Sequence, residues 1–470
     1  MPNNRPNVIF IMSDDHASHA MSCYGSRINT TPNLDRIAEG GMRFDNCFCT
    51  NSICTPSRAC ILTGTHTHVN GVTTLSTHLD NHILTFPRLL RQHGYQTAIV
   101  GKWHLGQGPE HEPRDFDFWR VLPGQGAYND PVMIDADGRR QHKGYVTDLI
   151  TDMCLDWLRQ RDAERPFFLM CHHKAPHRHW QPDEKHVHMY DDVDIPEPET
   201  FYDDYSDRAS AAAAAEMRID RDMTERDWKC SLPEGLSPLE GKKWKYQRYI
   251  KDYLRVIASI DDNVGRLLDF LDAQGLTDNT MVIYTSDQGF FLGDHGWFDK
   301  RFMYEESLRM PFIVRYPREV AAGSRTGDIV TNVDFAPTFL DLADVPVPEE
   351  FQGRSFRSVL RGETPDDWPT SMYYRYWMHN DGCHHVYAHY GIRTRRYKLI
   401  YYYSDPMGQE GAFGPCYAPE WELFDLEADP CELHSVYEDP DYAGIVRELK
   451  GELHRLQADV GDERYPKDVD

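Results

Sequence analysis

Four apolar runs of strand length end alike in this chain, each passing directly into reactive side chains. "NVIFIM" runs into Asp14 and Asp15, "TAIV" into Lys102 and His104, "PFFLMC" into His172, His173 and His177, and "MVIYT" into Asp287 and Gln288. Runs this short and this apolar read as strands buried on both faces. Helical patterns separate them. "YVTDLITDMCLDWLRQR" places Val146, Leu149, Ile150, Met153, Trp157 and Leu158 at helical spacing, and the stretch from Tyr246 to Gln274 keeps that period until Gly275 stops it. The alternation predicts an α/β fold with a large mixed, mainly parallel sheet sandwiched by helices, to which "PFIVRY" at Pro311 adds a strand. Ligands of such sheets sit beyond the carboxyl ends of the strands. Four reactive clusters at one predicted edge therefore mark a candidate site.

From about Ser371 the pattern changes to "SMYYRYW", "VYAHYGIRT", "YKLIYYY" and "WELFDL", closing with a helical "GIVRELKGELHRL". A small antiparallel sheet with a terminal helix is expected there, which divides the chain into a catalytic domain over 1–368 and an α+β subdomain over 369–470. The acidic, proline-punctuated segment from Gln181 to Lys245 is expected to be a solvated excursion. Eleven cysteines, an odd number without regular spacing, read as mostly free thiols. The first apolar run lacks the length and cleavage site of a signal peptide, and no run approaches a membrane span, so the expectation is a cytoplasmic enzyme without a membrane partner. A formal charge of −25 argues against nucleic acid as a partner. An anionic substrate would have to be drawn by local charge.

Singly, the clusters have plain readings. Asp14 and Asp15 could fill a turn, and Asp287–Gln288–Gly289 resembles any strand-to-turn junction. Together, three carboxylates and a side-chain carbonyl make an all-oxygen site for a hard cation, calcium first and magnesium next. Zinc fits less well, because the chain has neither HExxH nor paired CxxC; His16 and His19 beside the aspartates leave a di-metal phosphatase site open. In "NSICTPSRACILTG", Cys54 stands at the mouth of a predicted short helix with Pro56 in its first turn and Gly64 at its end. The helix dipole favours an anion at that point, and Arg58, four residues on, shares its face. A free cysteine also packs well as a small apolar residue. A thiolate beside a hard metal is a poor pairing, however, so an oxygenated group is wanted at Cys54.

"CTPSR" running into "ACILTG" resembles the signature of the type I sulfatases of the alkaline-phosphatase-like superfamily. "SDD", "GKWHLG", "PFFLMCHHKAPH", "TSDQG" and "GWFDKRFMYEESLRMPFIVRYP" match that family in order, so the resemblance covers nearly the whole chain. It implies that Cys54 is oxidised to formylglycine by a formylglycine-generating enzyme, and that the hydrated aldehyde is the nucleophile. It implies further that Asp14, Asp15, Asp287, Gln288 and an oxygen of modified Cys54 bind calcium, and that Arg58 and Lys102 hold the hydrate and the sulfate. By the same resemblance His104 takes the proton that regenerates the aldehyde, while His177 and Lys300 contact the sulfate and help the leaving oxygen depart. Gln288 departs from the family's commoner asparagine.

"WELFDLEADPCE" resembles bacterial sulfatases acting on sulfated sugars, and "HYGIRT" resembles glucosamine 6-sulfatases, which implies that His385 and His389 help recognise a sugar ring. Read from the residues alone, the surrounding stretch, with His379, His384 and Arg393, is equally an antiparallel sheet with polar residues on its wet face. Three functions stay open: a sulfatase acting on a sulfated carbohydrate or aryl sulfate, a phosphonate monoester or phosphodiester hydrolase using the same nucleophile, and a non-catalytic sulfated-glycan-binding protein. The first agrees with the residue chemistry, since a sulfate ester needs fixed positive charge on its oxygens and a proton for its leaving group.

Overall fold

The computed structural model describes residues 5–466 and 468. Its main sheet has ten strands: β1 (Asn7–Ser13), β2 (Met42–Phe44), β3 (Gln96–Lys102), β4 (Phe118–Leu122), β5 (Val132–Asp135), β6 (Gly138–Gln141), β7 (Phe167–His172), β8 (Thr280–Ser286), β9 (Phe312–Arg315) and β10 (Ser324–Thr326). Their spatial order is β10, β2, β9, β8, β1, β7, β3, β4, β5, β6. The centre is parallel, with β1 between β7 and β8 and β3 between β7 and β4. Towards the margins the direction changes. β9 runs antiparallel to β8 because the chain stays at the carboxyl edge after Ser286 and re-enters the sheet from there, setting Phe312 opposite Thr285.

Alternation along the central strands feeds two cores. Val8, Phe10 and Met12 point to one face with Ile99, Phe168 and Ile283, where they meet Ala59, Ile61 and Leu62 of the Cys54–Thr63 helix and Phe335 and Phe339. Ile9 and Ile11 point to the other with Val100, Leu169 and Val282, against Ile150 and Leu158 of the Val146–Gln160 helix and Tyr253, Ile257 and Leu268 of a long helix, Pro238–Ala273. That helix starts before the periodic stretch because Ser237 and Glu240 form a capping box and Pro238 occupies its first turn. All eleven cysteines are free thiols, and no helix among the described residues is long and apolar enough to cross a membrane.

Two expectations are corrected. The 181–245 segment is not a solvated excursion: Phe201, Ala211, Ala212, Ala215, Met217 and Ile219 are fully buried, and Tyr205 stacks on Trp297 with centroids 5.2 Å apart. Small alanines let this segment lie close to the body of the protein, so its composition misleads. The second concerns the four antiparallel strands Ser371–Tyr376, His389–Thr394, Tyr397–Tyr402 and Glu420–Asp425. Neither face of this sheet is wet. Tyr390, Leu399, Tyr401 and Leu423 pack under Leu449 and Leu453 of the Ala443–Val460 helix, while Tyr374, Tyr376, Ile400, Tyr402 and Phe424 join the main core. A buried ionic network fixes it there, since Glu305 accepts from Arg393 at 3.1 Å and pairs with Lys398 at 3.0 Å.

Gly101 sits where β3 meets β7 beside the site. Its φ is +109°, and a Cβ there would lie 1.9 Å from the His172 carbonyl oxygen. Gly101→Ala is expected to destabilise the fold by about 2 kcal/mol or more, through the clash and the strained backbone. A thermal unfolding midpoint equal to that of the unsubstituted protein would contradict the packing described.

Candidate active site

Parallel register brings the four reactive clusters to one place. Ser13 lies opposite Ser286, Met12 opposite His172, and Gly101 opposite His172. Asp14 and Asp15, Asp287 and Gln288, His173 and Lys174, and Lys102 therefore leave the sheet along one edge. Onto that edge points the Cys54–Thr63 helix, with extended Ile53 as its N-cap, Cys54 as its first residue and Gly64 closing it at φ 63°. Cys54 is 1% exposed.

The carboxylates converge. Oxygens of Asp14, Asp15 and Asp287 lie within 4.8 Å of one another, as do ligand atoms of Asp14, Cys54 and His177. All three acids are fully buried. Asp15 reaches its place through a backbone φ of 71°, and its backbone N–H donates to Asp287 Oδ1 at 3.2 Å. Burial pushes Asp15 up to about 6 against the pull of Lys300, with Asp287 and Asp299 adding to the rise.

Each acid has a cation. Arg58 donates from Nε to Asp287 Oδ2 at 2.9 Å and from Nη1 to the Lys102 carbonyl at 2.9 Å. The Lys102 ammonium abuts Asp14 and also donates to Gln125 Oε1. Lys300 pairs with Asp15 at 2.7 Å and is flanked by two strained residues, Asp299 at φ 86° and Arg301 at φ 91°. His177 Nε2 stands 3.8 Å from Asp15, and its Nδ1 meets the Arg178 carbonyl at 2.7 Å. His104, at φ 58°, sets Nδ1 3.3 Å from the Thr55 hydroxyl. Burial and then the neighbouring cations hold His104 and His177 well below the usual imidazole range. Burial also raises the Cys54 thiol to about 12. As a thiol it is therefore protonated at neutral pH and a weak nucleophile.

The donor set suits a hard divalent cation. Asp14 Oδ1 and Gln288 Oε1 are buried without a hydrogen-bond donor, and Gln288 is held by its own amide, which donates to Asp15 Oδ1 at 2.5 Å. Orphaned oxygens beside clustered carboxylates are what such an ion satisfies. His16 and His19 take no part: His16 Nδ1 lies 2.5 Å from the Tyr284 hydroxyl and His19 pairs with Asp294 at 3.2 Å.

All ten residues expected at the catalytic and metal centre gather here. The two expected to read a sugar differ in setting. His389 is fully buried in a box of aromatic rings, with Tyr374, Tyr376 and Tyr402 at 5.6, 5.4 and 5.1 Å; a ring with no exposed surface packs rather than recognises. His385 lies at the surface, 3.7 Å from Glu216. Supporting groups went unread in the sequence. The Ser57 hydroxyl donates to the Asp287 carbonyl, and Asn332 donates to Ser57 Oγ at 2.9 Å, fixing the helix to β8. Ser57 lies within the cysteine motif, whereas Asn332 is 275 residues away and carries no local signal.

Comparison with known proteins agrees with this geometry. The sulfatase family profile matches residues 6–345, and a profile for the N-sulphoglucosamine sulphohydrolase C-terminal region matches residues 293–459. An N-acetylglucosamine-6-O-sulfatase of Bacteroides thetaiotaomicron is 44% identical, over 97% of this chain and 87% of its own length. A solved structure of a protein in complex with its substrate, D-glucosamine-2-N,6-O-disulfate, superposes with a TM-score of 0.92 at 42% identity, covering 99% of this chain and 100% of that one. The phosphonate monoester hydrolase of Agrobacterium radiobacter shares the fold at a TM-score of 0.75 and 20% identity, covering 97% of this chain and 96% of its own. With its profile spanning most of the chain and its buried acids gathered around Cys54, the protein belongs to the sulfatase family and is a sulfuric ester hydrolase.

Proposed function

We propose that the substrate is a small sulfated amino sugar and that hydrolysis runs through Cys54 in its formylglycine form, with calcium held by Asp14, Asp15, Asp287 and Gln288. The observation that carries this reading is the buried ring of three carboxylates and an undonated amide oxygen around Cys54. Its support for the sugar is the likeness to the amino-sugar sulfatase and to the disulfate complex. When bound, the cation supplies positive charge against anionic oxygens and lowers the pKa of an adjacent hydroxyl. Oxidised Cys54 supplies the oxygen nucleophile that a buried thiol does not.

The chain's own residues do the rest. Arg58 and Lys102 hold positive charge beside Cys54 and orient the sulfate for attack. His177 keeps Nδ1 engaged with the Arg178 carbonyl, which leaves Nε2 to exchange a proton with the leaving oxygen. Its low proton affinity rises once an anionic ester enters beside it. His104, with Nδ1 facing Thr55, has Nε2 to accept the proton that releases sulfate. Lys300, fixed on Asp15, sits where it adds charge at the departing oxygen.

Cys54→Ala is expected to abolish hydrolysis of aryl and sugar sulfates while leaving the unfolding midpoint nearly unchanged, and the Cys54 peptide of active protein should carry an aldehyde in place of the thiol. Residual turnover near the unsubstituted rate, or an unmodified thiol in fully active protein, would refute the nucleophile. Removing His177 should slow an alkyl sugar sulfate by about a hundredfold or more, but an activated aryl sulfate far less. Equal losses on the two would contradict its role as proton donor.

A further inference from the structure

Lys174 follows the strand end that carries His172 and is only 3% exposed. Arg58, Lys102 and Lys300 each face a carboxylate, but among the described residues none accepts a hydrogen bond from Lys174 Nζ. Instead the ammonium lies 4.7 Å from the centroid of the Tyr128 ring. Tyr128 is itself anchored, donating its hydroxyl to the His177 carbonyl at 2.6 Å. A cation over an aromatic face gains about 0.5–2 kcal/mol, whereas taking an ammonium out of water costs several. The Lys174 ammonium escapes part of that cost, since Nζ is not among the buried polar atoms cut off without a partner and so stays where an entering anion can reach it. Asp15 and Cys54 are close enough to act on Lys174 electrostatically, yet Asp15 already serves Lys300 and Gln288. Among the described residues, the chain therefore presents an ammonium at the site with no carboxylate of its own paired to it.

We infer that Lys174 is a substrate-binding residue whose ammonium pairs with a non-bridging oxygen of the sulfate presented to Cys54. This rests on the sulfate-ester reading of the site and deepens it. The pairing exists in both the bound ester and the released sulfate ion, so it acts as uniform binding: it lowers KM and tightens product inhibition without much effect on kcat. The Tyr128 ring holds the ammonium in place before the anion arrives.

The test measures KM and kcat of Lys174→Met, Lys174→Gln and Lys174→Arg on 4-nitrophenyl sulfate, which carries one anionic group, and on N-acetylglucosamine 6-sulfate, together with inhibition by inorganic sulfate. For Met and Gln the expected result is a rise of about ten- to a hundredfold in KM for both esters and in the sulfate inhibition constant, with kcat within about threefold. Arginine should recover most of the loss. Unchanged constants, a rise confined to the sugar ester, or a fall in kcat at constant KM would overturn the inference. Should the Met variant fail to fold, the Gln variant decides. An unsubstituted enzyme that hydrolyses neither ester overturns the functional reading instead, and titration with inorganic sulfate then decides Lys174 by itself.

Discussion

Three buried carboxylates packed together at the ends of parallel strands repel one another, and that repulsion organises the site. Oxygens within 4.8 Å cost about 3 kcal/mol per pair at an effective dielectric near 20. The fold answers with one cation for each acid: Arg58 on Asp287, Lys102 against Asp14 and Lys300 on Asp15. The match is incomplete, since Asp14 Oδ1 and Gln288 Oε1 keep no donor. Oxygens left without a donor beside clustered carboxylates are ones that a bound cation would satisfy.

Rigid elements hold the charges in place. The acids come from β1 and β8, neighbours in parallel register, so their separation is set by the sheet. Cys54 and Arg58 share a helix that is tied down through Ser57 and Asn332. Lys300 arrives on a loop whose flanking residues adopt left-handed backbone, and its neighbour Arg301 donates to the Tyr376 hydroxyl at 3.1 Å. In this way the C-terminal sheet positions a lysine of the catalytic edge. The Glu305, Arg393 and Lys398 network locks the same two parts together nearby.

The centre of the sheet was legible because strands buried on both faces carry apolar runs through their middles, as "VIFIM" in β1, "AIV" in β3, "FFLMC" in β7 and "MVIY" in β8 do. The margins were not. β6 is "GRRQ" and exposed along its whole length, so no apolar pattern marks it. The ten residues expected at the catalytic and metal centre could be named because each directly follows a strand or belongs to a motif. Lys174 lies in such a motif, but its significance depends on the absence of an acceptor, which only three dimensions reveal. His389 was singled out through the likeness of "HYGIRT" to glucosamine 6-sulfatases, and a motif does not tell that Tyr374, Tyr376 and Tyr402 surround the ring. The acidic, proline-punctuated 181–245 segment failed on composition, since its scattered anchors, Phe201, Ala211, Ala212, Met217 and Ile219, form no pattern in sequence yet are buried in space.

The central claim is that the buried acids are a cation site. A high-resolution crystal structure grown with calcium, with anomalous differences measured to identify the ion, tests it most directly. The account predicts one ion at about 2.3–2.6 Å from oxygens of Asp14, Asp15, Asp287 and Gln288, with the Lys102 and Lys300 ammonium groups drawn back from the carboxylates. Density showing those lysines still seated on Asp14 and Asp15, and no ion between the acids at saturating calcium, would contradict it.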